Sequence, residues 1–239
     1  GSQIKPHIPK RFSMQWGAPA PQMRELVLAM RAIWANWYQG EPLQFVGKYY
    51  HHTLMTPAFT PENRDYGPPR VILAAVGSLM TEVAGEVADG MIIHPFSTVP
   101  YIEAVTLPAI EKGLARSGRS REDFEISYSN FVVTGRDERE FEASRQAARE
   151  RIAFYGSTPA YKGVLESIGA GELQGELNTM SKQGRWKEMG SLIAVVGEPM
   201  DVAPEMLRRY GHFTDRTSAS FPVSDPAERA AIIGTLRAG

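Results

Sequence analysis

The stretch Val71-Ile72-Leu73-Ala74-Ala75-Val76-Gly77-Ser78, continued by Leu79-Met80-Thr81-Glu82-Val83-Ala84-Gly85-Glu86-Val87-Ala88-Asp89-Gly90 and then Met91-Ile92-Ile93-His94, decides the fold. Its first five residues are apolar without alternation, the pattern of a parallel strand covered on both faces. Gly77-Ser78 ends that strand. Leu79, Val83 and Val87 recur every four residues, which predicts a helix up to Asp89-Gly90. Met91 to His94 is a second short apolar run, so the order is strand, helix, strand.

Upstream, Met23, Leu26, Val27, Met30, Ile33, Trp34 and Trp37 recur at spacings of three and four before Gly40, an amphipathic helix whose Trp and Met stripe belongs to the core. Leu43 to Thr53 turns at Gly47 between aromatic, β-favouring residues and predicts a hairpin. Thr56 to Pro69, with four prolines, is a surface connection. Downstream comes a split helix, started by Pro100 and interrupted by Pro108, and then a third strand over Phe124 to Thr134. Arg139 to Phe154 is helical. Thr158-Pro159 opens a short helix ending near Gly169, and Glu172 to Met189 adds one or two more, making a helical insertion at about 156–192. Val202, Met206 and Leu207 mark another helix and Thr217 to Val223 a last strand. Asp225-Pro226-Ala227-Glu228 is a capping box with proline at the first helical position.

Alternating strands and helices predict an α/β architecture in a single domain, residues 1–239. The strand tally is four, half the eight of a closed (β/α)8 TIM barrel. Half a barrel leaves raw sheet edges that must be paired or covered; an open doubly wound sheet is the alternative. Lys plus Arg is 26 and Asp plus Glu 27, a formal charge of −1 with no charged block, so nucleic acid and membrane surfaces are not expected partners and small molecules are. With no cysteine there are no disulfides, thiolate nucleophiles or Cys-ligated metals, which fits a cytoplasmic protein. No apolar run reaches the roughly 18 residues of a spanning helix, and the first ten residues lack the order of a signal peptide.

Gly85 to Gly90 has the glycine spacing of a phosphate loop, but Met91-Ile92 stands where Lys and Ser/Thr are required. No G-x-G-x-x-G follows a strand, and there is no G-x-S-x-G elbow or H-E-x-x-H helix. His51 and His52 are adjacent, so on a strand they face opposite ways; no metal site is expected. The turn Ala75-Val76-Gly77-Ser78 joins a strand to a helix start, where free amides and the macrodipole favour an anion. Gly77 permits close approach, and Ser78 and Thr81 add hydroxyls. The same residues also suit a purely local role, Ser78 capping its own helix and Gly77 turning the chain. His94 ends the second strand, at the carboxyl edge where barrel enzymes place their chemistry; a hydrogen-bonded structural histidine is the other reading. Tyr128, Ser129, Asn130, Ser218 and Ser220 are polar strand residues that suit either a barrel interior or core hydrogen bonds.

The run Pro69 to Gly77, with Thr81 to Ile92, resembles the centre of the luciferase-like monooxygenase superfamily. Glu25 to Trp34 and Gly47-Lys48-Tyr49 upstream continue the likeness. So do Thr106 to Ile110, Gly113, Arg116 and Gly118 to Arg121, and Val195-Val196-Gly197-Glu198-Pro199. The details look most like the deazaflavin (coenzyme F420)-dependent oxidoreductase branch of a superfamily that also contains many flavin mononucleotide (FMN) enzymes.

This resemblance implies the second half of a (β/α)8 barrel that holds coenzyme F420 or FMN across its carboxyl end. The cofactor phosphate would sit at Ala75, Val76, Gly77, Ser78 and Thr81, with His94 as the catalytic residue near ring or substrate. The implied chemistry is hydride transfer between cofactor and a small organic substrate, or monooxygenation with reduced flavin. Four strands are expected to precede Gly1-Ser2-Gln3, a homodimer is expected from the family and the exposed edges, and residues are expected to be missing near Ile193-Ala194. Two other classes share these features: a non-catalytic or assembly-dependent barrel fragment, and a phosphate-binding barrel isomerase or lyase that needs no ring cavity.

Overall fold

The computed structural model describes residues 1–172, 174–175, 194–218 and 221–239. Short helix α1 (His7–Arg11) precedes α2 (Pro19–Gln39), which starts on a first-turn proline and stops at Gly40. Gly40 takes φ 73°, the left-handed C-cap that glycine adopts without a Cβ penalty. Strands β1 (Phe45–Val46) and β2 (His51–His52) form the expected antiparallel hairpin. Then come β3 (Ile72–Ala75), α3 (Ser78–Val87) and β4 (Gly90–Ile93). Helix α4 (Val99–Tyr101) passes through a π-turn at Ile102–Thr106 into α5 (Leu107–Ser117). The π-turn ends two residues before Pro108, which has no N–H to continue the i to i−4 ladder, so the wider register absorbs the interruption read in the sequence.

The predicted third strand is two: β5 (Glu125–Tyr128) and β6 (Phe131–Val133), parted at Ser129-Asn130. After them come α6 (Glu138–Gly156) and α7 (Lys162–Glu166). Strand β7 (Ala194–Val196), absent from the sequence tally, is next. Helix α8 (Pro199–Tyr210), β8 (Arg216–Thr217) and α9 (Pro226–Ala238) complete the chain. The last strand is therefore two residues rather than Thr217 to Val223. At α9 the Asp225 carboxylate accepts from the Ala227 N–H at 2.7 Å, a cap on the second helical residue. Most of Glu172 to Met189, and the Ile193-Ala194 junction, lie outside the described residues.

The chain divides into two compact units, Gly1–Met91 with Pro108–Phe124, and Ile92–Leu107 with Glu125–Gly239. In the first, α2 lies against α3. Arg31 reaches across to the Val87 carbonyl (3.0 Å) and Asp89 (2.9 Å), whose other oxygen accepts the Val71 N–H at 2.7 Å. Of the α2 apolar stripe only Val27 is fully buried, together with Ala29; the Trp and Met side chains are half-buried, so that face is less a core than its periodicity predicts. Gly85 of α3 and Gly113 of α5 touch backbone to backbone, and a Cβ on either collides with the other helix. Buried Glu82 pairs with Lys112 at 2.8 Å and with Arg116. The β3 strand departs from its predicted cover on both faces: Leu73 and Ala75 are buried while Ala74 is exposed. Gly1 lies so close to Ala74 that a Cβ would strike its carbonyl.

In the second unit, β5 and β8 pair in parallel (Ser127 with Arg216, Tyr128 with Thr217), and β6 pairs in parallel with β7 (Phe131 with Ala194, Val133 with Val196). The break at Ser129-Asn130 thus hands one chain segment from one strand partner to another. Phe96, Ile102, Ile126, Tyr128, Ile152 and Leu165 are fully buried here. The Tyr128 hydroxyl donates to the Ser97 carbonyl at 3.1 Å, which satisfies its polar end inside an apolar core.

Candidate active site

Two places carry the predicted site residues, one in each unit. In the first, Ala75 closes β3, and Val76 and Gly77 lead into α3. Gly77 is the N-cap at φ −77° and ψ 150° with no side-chain cap; Ser78 is the first helical residue. The purely local reading of Ser78 as the cap of its own helix therefore does not hold. The first intrahelical bond runs from the Thr81 N–H to the Gly77 carbonyl at 3.1 Å, so the Ser78, Leu79 and Met80 amides have no acceptor within the helix. Gly77 and Ser78 are exposed, and a Cβ at Gly77 would meet nothing within 4 Å. The Thr81 hydroxyl oxygen is fully buried and has no hydrogen-bond partner. An open, uncapped helix start beside an unsatisfied hydroxyl is chemically complementary to an anionic oxygen group.

In the second unit, His94 follows β4 directly. Its Nδ1 accepts the Phe96 N–H at 3.0 Å, which leaves the ring proton on Nε2. The imidazole meets the Tyr155 ring edge-on at 4.4 Å and 76°, and the Tyr161 ring at 4.9 Å and 41°. Fully buried Phe96 packs on Tyr161 at 5.4 Å, and Phe131 lies 6.2 Å from Tyr155. Burial in this aromatic surround pushes the imidazole pKa down to about 4, so the ring is neutral near pH 7. Burial, with help from the Tyr155 phenol, raises Tyr161 to about 12. A neutral imidazole whose remaining N–H is held in one orientation is a hydrogen-bond donor rather than a cationic acid.

Ser129, Asn130 and Ser218 line a single cavity with Pro95, Phe131 and Arg151; Ser220 lies outside the described residues. The sequence reading missed Tyr155, Tyr161 and Arg151. The two tyrosines flank Ser157-Thr158-Pro159, and a turn that folds two aromatic residues back together was the available signal. His51 is exposed and His52 half-buried. Among the described residues no three His, Asp or Glu side chains gather as a metal site, and no helix is long and apolar enough to cross a membrane.

A strand, helix, strand order with parallel strand pairs defines an α/β protein. By the match of residues 1–216 to the model of that family, the chain belongs to the luciferase-like monooxygenase family. It is 50% identical over 229 residues to an uncharacterized protein of Mycobacterium tuberculosis, covering 92% of this chain and 67% of that protein. To the F420-dependent glucose-6-phosphate dehydrogenase of Intrasporangium calvum it is 27% identical over 205 residues, 81% of this chain and 54% of the dehydrogenase. Its backbone is similar to that of the coenzyme F420 dependent tetrahydromethanopterin reductase from Methanopyrus kandleri, with a TM-score of 0.65 at 20% identity over 92% of this chain and 63% of the reductase. The fold is accordingly α/β, of the luciferase-like (β/α)8 type, and the chain spans little more than half to two thirds of these relatives.

Proposed function

We propose that this chain carries the phosphate-binding and substrate-facing part of an oxidoreductase that uses coenzyme F420 or FMN on a small organic substrate. The observation that carries the reading is the start of α3, uncapped and open at Gly77 with the Thr81 hydroxyl buried and unsatisfied beneath it. Both cofactors carry a phosphate group that such a corner fits, and the similar dehydrogenase and reductase are F420-dependent enzymes. In this reading Ala75 and Val76 set the turn, the Ser78 to Met80 amides and the Ser78 and Thr81 hydroxyls hold the phosphate, and the macrodipole adds to their attraction. His94 keeps its proton at Nε2 and donates it as a hydrogen bond to a ring or substrate oxygen, and the Tyr155, Tyr161 and Phe96 rings keep water from that bond. When bound, the deazaflavin or flavin ring supplies hydride transfer, or oxygen activation in the reduced flavin.

The reading further proposes that residues 1–239 act as one domain, in a cytoplasmic homodimer. Its test is a titration of the purified chain with coenzyme F420 and, separately, with FMN, following the chromophore's fluorescence. Saturable binding of either one, displaced by inorganic phosphate, supports the reading. Failure of both to bind overturns it.

A further inference from the structure

Residues 155–169 fold back on the loop that leaves β4, where Tyr155 and Tyr161 meet His94 and Phe96. The hydrogen bonds of the turn itself are local: the Ser157, Thr158 and Tyr161 amides and the Ser157 hydroxyl all donate to carbonyls no more than four residues back. Among the described residues, a single hydrogen bond ties this segment to any part of the chain before α6. It joins the Thr98 and Ser167 hydroxyls, 2.9 Å apart. Its direction follows from the neighbours. The Ser167 hydroxyl donates its one proton to the Val164 carbonyl at 2.7 Å, so Thr98 is the donor between the two. The Thr98 oxygen in turn accepts the Tyr101 N–H at 3.3 Å. An unbroken chain therefore runs from the α4 backbone through two hydroxyls to the α7 backbone, and each link polarises the next. Thr98 is buried, so a lost partner leaves a polar group unmatched away from water. Gly163 lets α7 approach closely: a Cβ there would lie 3.3 Å from the Tyr101 ring. In the register so fixed, Tyr161, the residue before α7, meets His94 at 4.9 Å and Phe96 at 5.4 Å.

We propose that Thr98 and Ser167 are positioning residues that latch α7 to the loop after β4, and that through Tyr161 they hold the His94 imidazole dry and in one orientation. The importance this gives His94 rests on the functional reading above. No hydrogen bond joins either hydroxyl to the imidazole, so their effect on it passes through the Tyr161 ring. Val164 and Leu165 are buried and add apolar adhesion, but that attraction is non-directional and tolerates sliding. A hydroxyl pair with both neighbours already engaged has one register.

The test is the rate at which diethyl pyrocarbonate modifies each histidine of the full chain at neutral pH without cofactor, read by peptide mass spectrometry. Exposed His212, in the same unit, is the internal reference, and in the wild type His94 reacts more slowly than it does. Ser167→Ala leaves the Thr98 cap of α4 in place. It speeds modification of His94 by about tenfold, the weight of one hydrogen bond in the local opening equilibrium, and leaves His212 unchanged. Thr98→Val does the same, and Thr98→Ser, which keeps the hydroxyl, reacts as wild type. Ile232→Val trims a buried side chain of α9 and controls for lost stability; its His94 rate stays at the wild-type value. Circular dichroism checks the fold of each variant, and Ser167→Ala carries the test if Thr98→Val does not fold. A wild-type His94 as reactive as His212, an unchanged His94 rate in Ser167→Ala, a Thr98→Ser chain as reactive as Thr98→Val, or an equal acceleration in Ile232→Val overturns the inference. Because no cofactor takes part, failure of coenzyme F420 and FMN to bind strikes the functional reading alone, and failure of the latch variants strikes this inference alone.

Discussion

The Phe96 N–H donates to Nδ1 of His94 at 3.0 Å, so a backbone two residues along the chain fixes which imidazole nitrogen keeps the proton. With that nitrogen occupied and the ring among Phe96, Tyr155 and Tyr161, protonation would require breaking the bond and burying a charge.

From this follows a pH dependence of stability. The folded pKa of about 4 lies below the ordinary 6.5, so between these values the unfolded chain binds more protons at this site than the folded one. The contribution is complete above about pH 6.5 and is lost as pH falls towards 4. It is at most about 3 kcal/mol, and less because the ring is partly exposed. Urea unfolding across this range should show a slope that His94→Gln reduces, and an NMR titration should place the imidazole midpoint near 4.

The Gly85 and Gly113 contact makes a second prediction. Gly113→Ala drives a methyl into the backbone of α3 and should cost about 2 kcal/mol, even after the helix-propensity gain of about 1 kcal/mol. Gly234→Ala on α9 meets nothing within 4 Å and should instead stabilise by about 0.5–1 kcal/mol. At roughly 2–4 °C per kcal/mol for a chain of this size, differential scanning calorimetry resolves shifts of opposite sign.

Glu25 holds the hairpin. Its carboxylate accepts the N–H groups of Lys48 (3.0 Å), Tyr49 (2.5 Å) and Tyr50 (2.7 Å). Desolvation pushes the carboxyl pKa up, but the three amides together outweigh it and leave it below its ordinary value. The hairpin contacts are therefore present at neutral pH and weaken as pH falls through the lowered pKa. Hydrogen exchange at Tyr49 and Tyr50 should quicken in Glu25→Ala at pH 7, while amides of α9 keep their rates.

Thr81→Val replaces a buried, unsatisfied hydroxyl with a methyl of the same shape. The ligand-free chain should gain about 1 kcal/mol, since the desolvation cost of an unpaired hydroxyl disappears. Loss of stability on denaturant unfolding would mean the hydroxyl has a partner in the folded chain.

The strand, helix, strand core was legible because each element there is specified locally: an apolar run, a four-residue repeat, a glycine. The split at Ser129-Asn130 was not, because β-favouring residues lie on both sides and the choice of β8 or β7 as partner is made by tertiary pairing. Three-residue β7 and two-residue β8 are too short to give a period. His94 was legible by its place at a strand end. The rings that set its protonation were not, since Tyr155 and Tyr161 come some 60 residues later. At the corner, Ser78 lies one position past the cap that its residue type suggested, and the unsatisfied state of Thr81 is a property of packing that no spacing reveals.

The start of α3 is the proposed seat of a cofactor phosphate, and the dissociation constant of the Thr81→Val chain for coenzyme F420 and FMN is its sharpest test. A roughly tenfold weaker complex of whichever cofactor the wild type binds, the worth of one hydrogen bond to a charged group, is the predicted result. An affinity equal to wild type would contradict it.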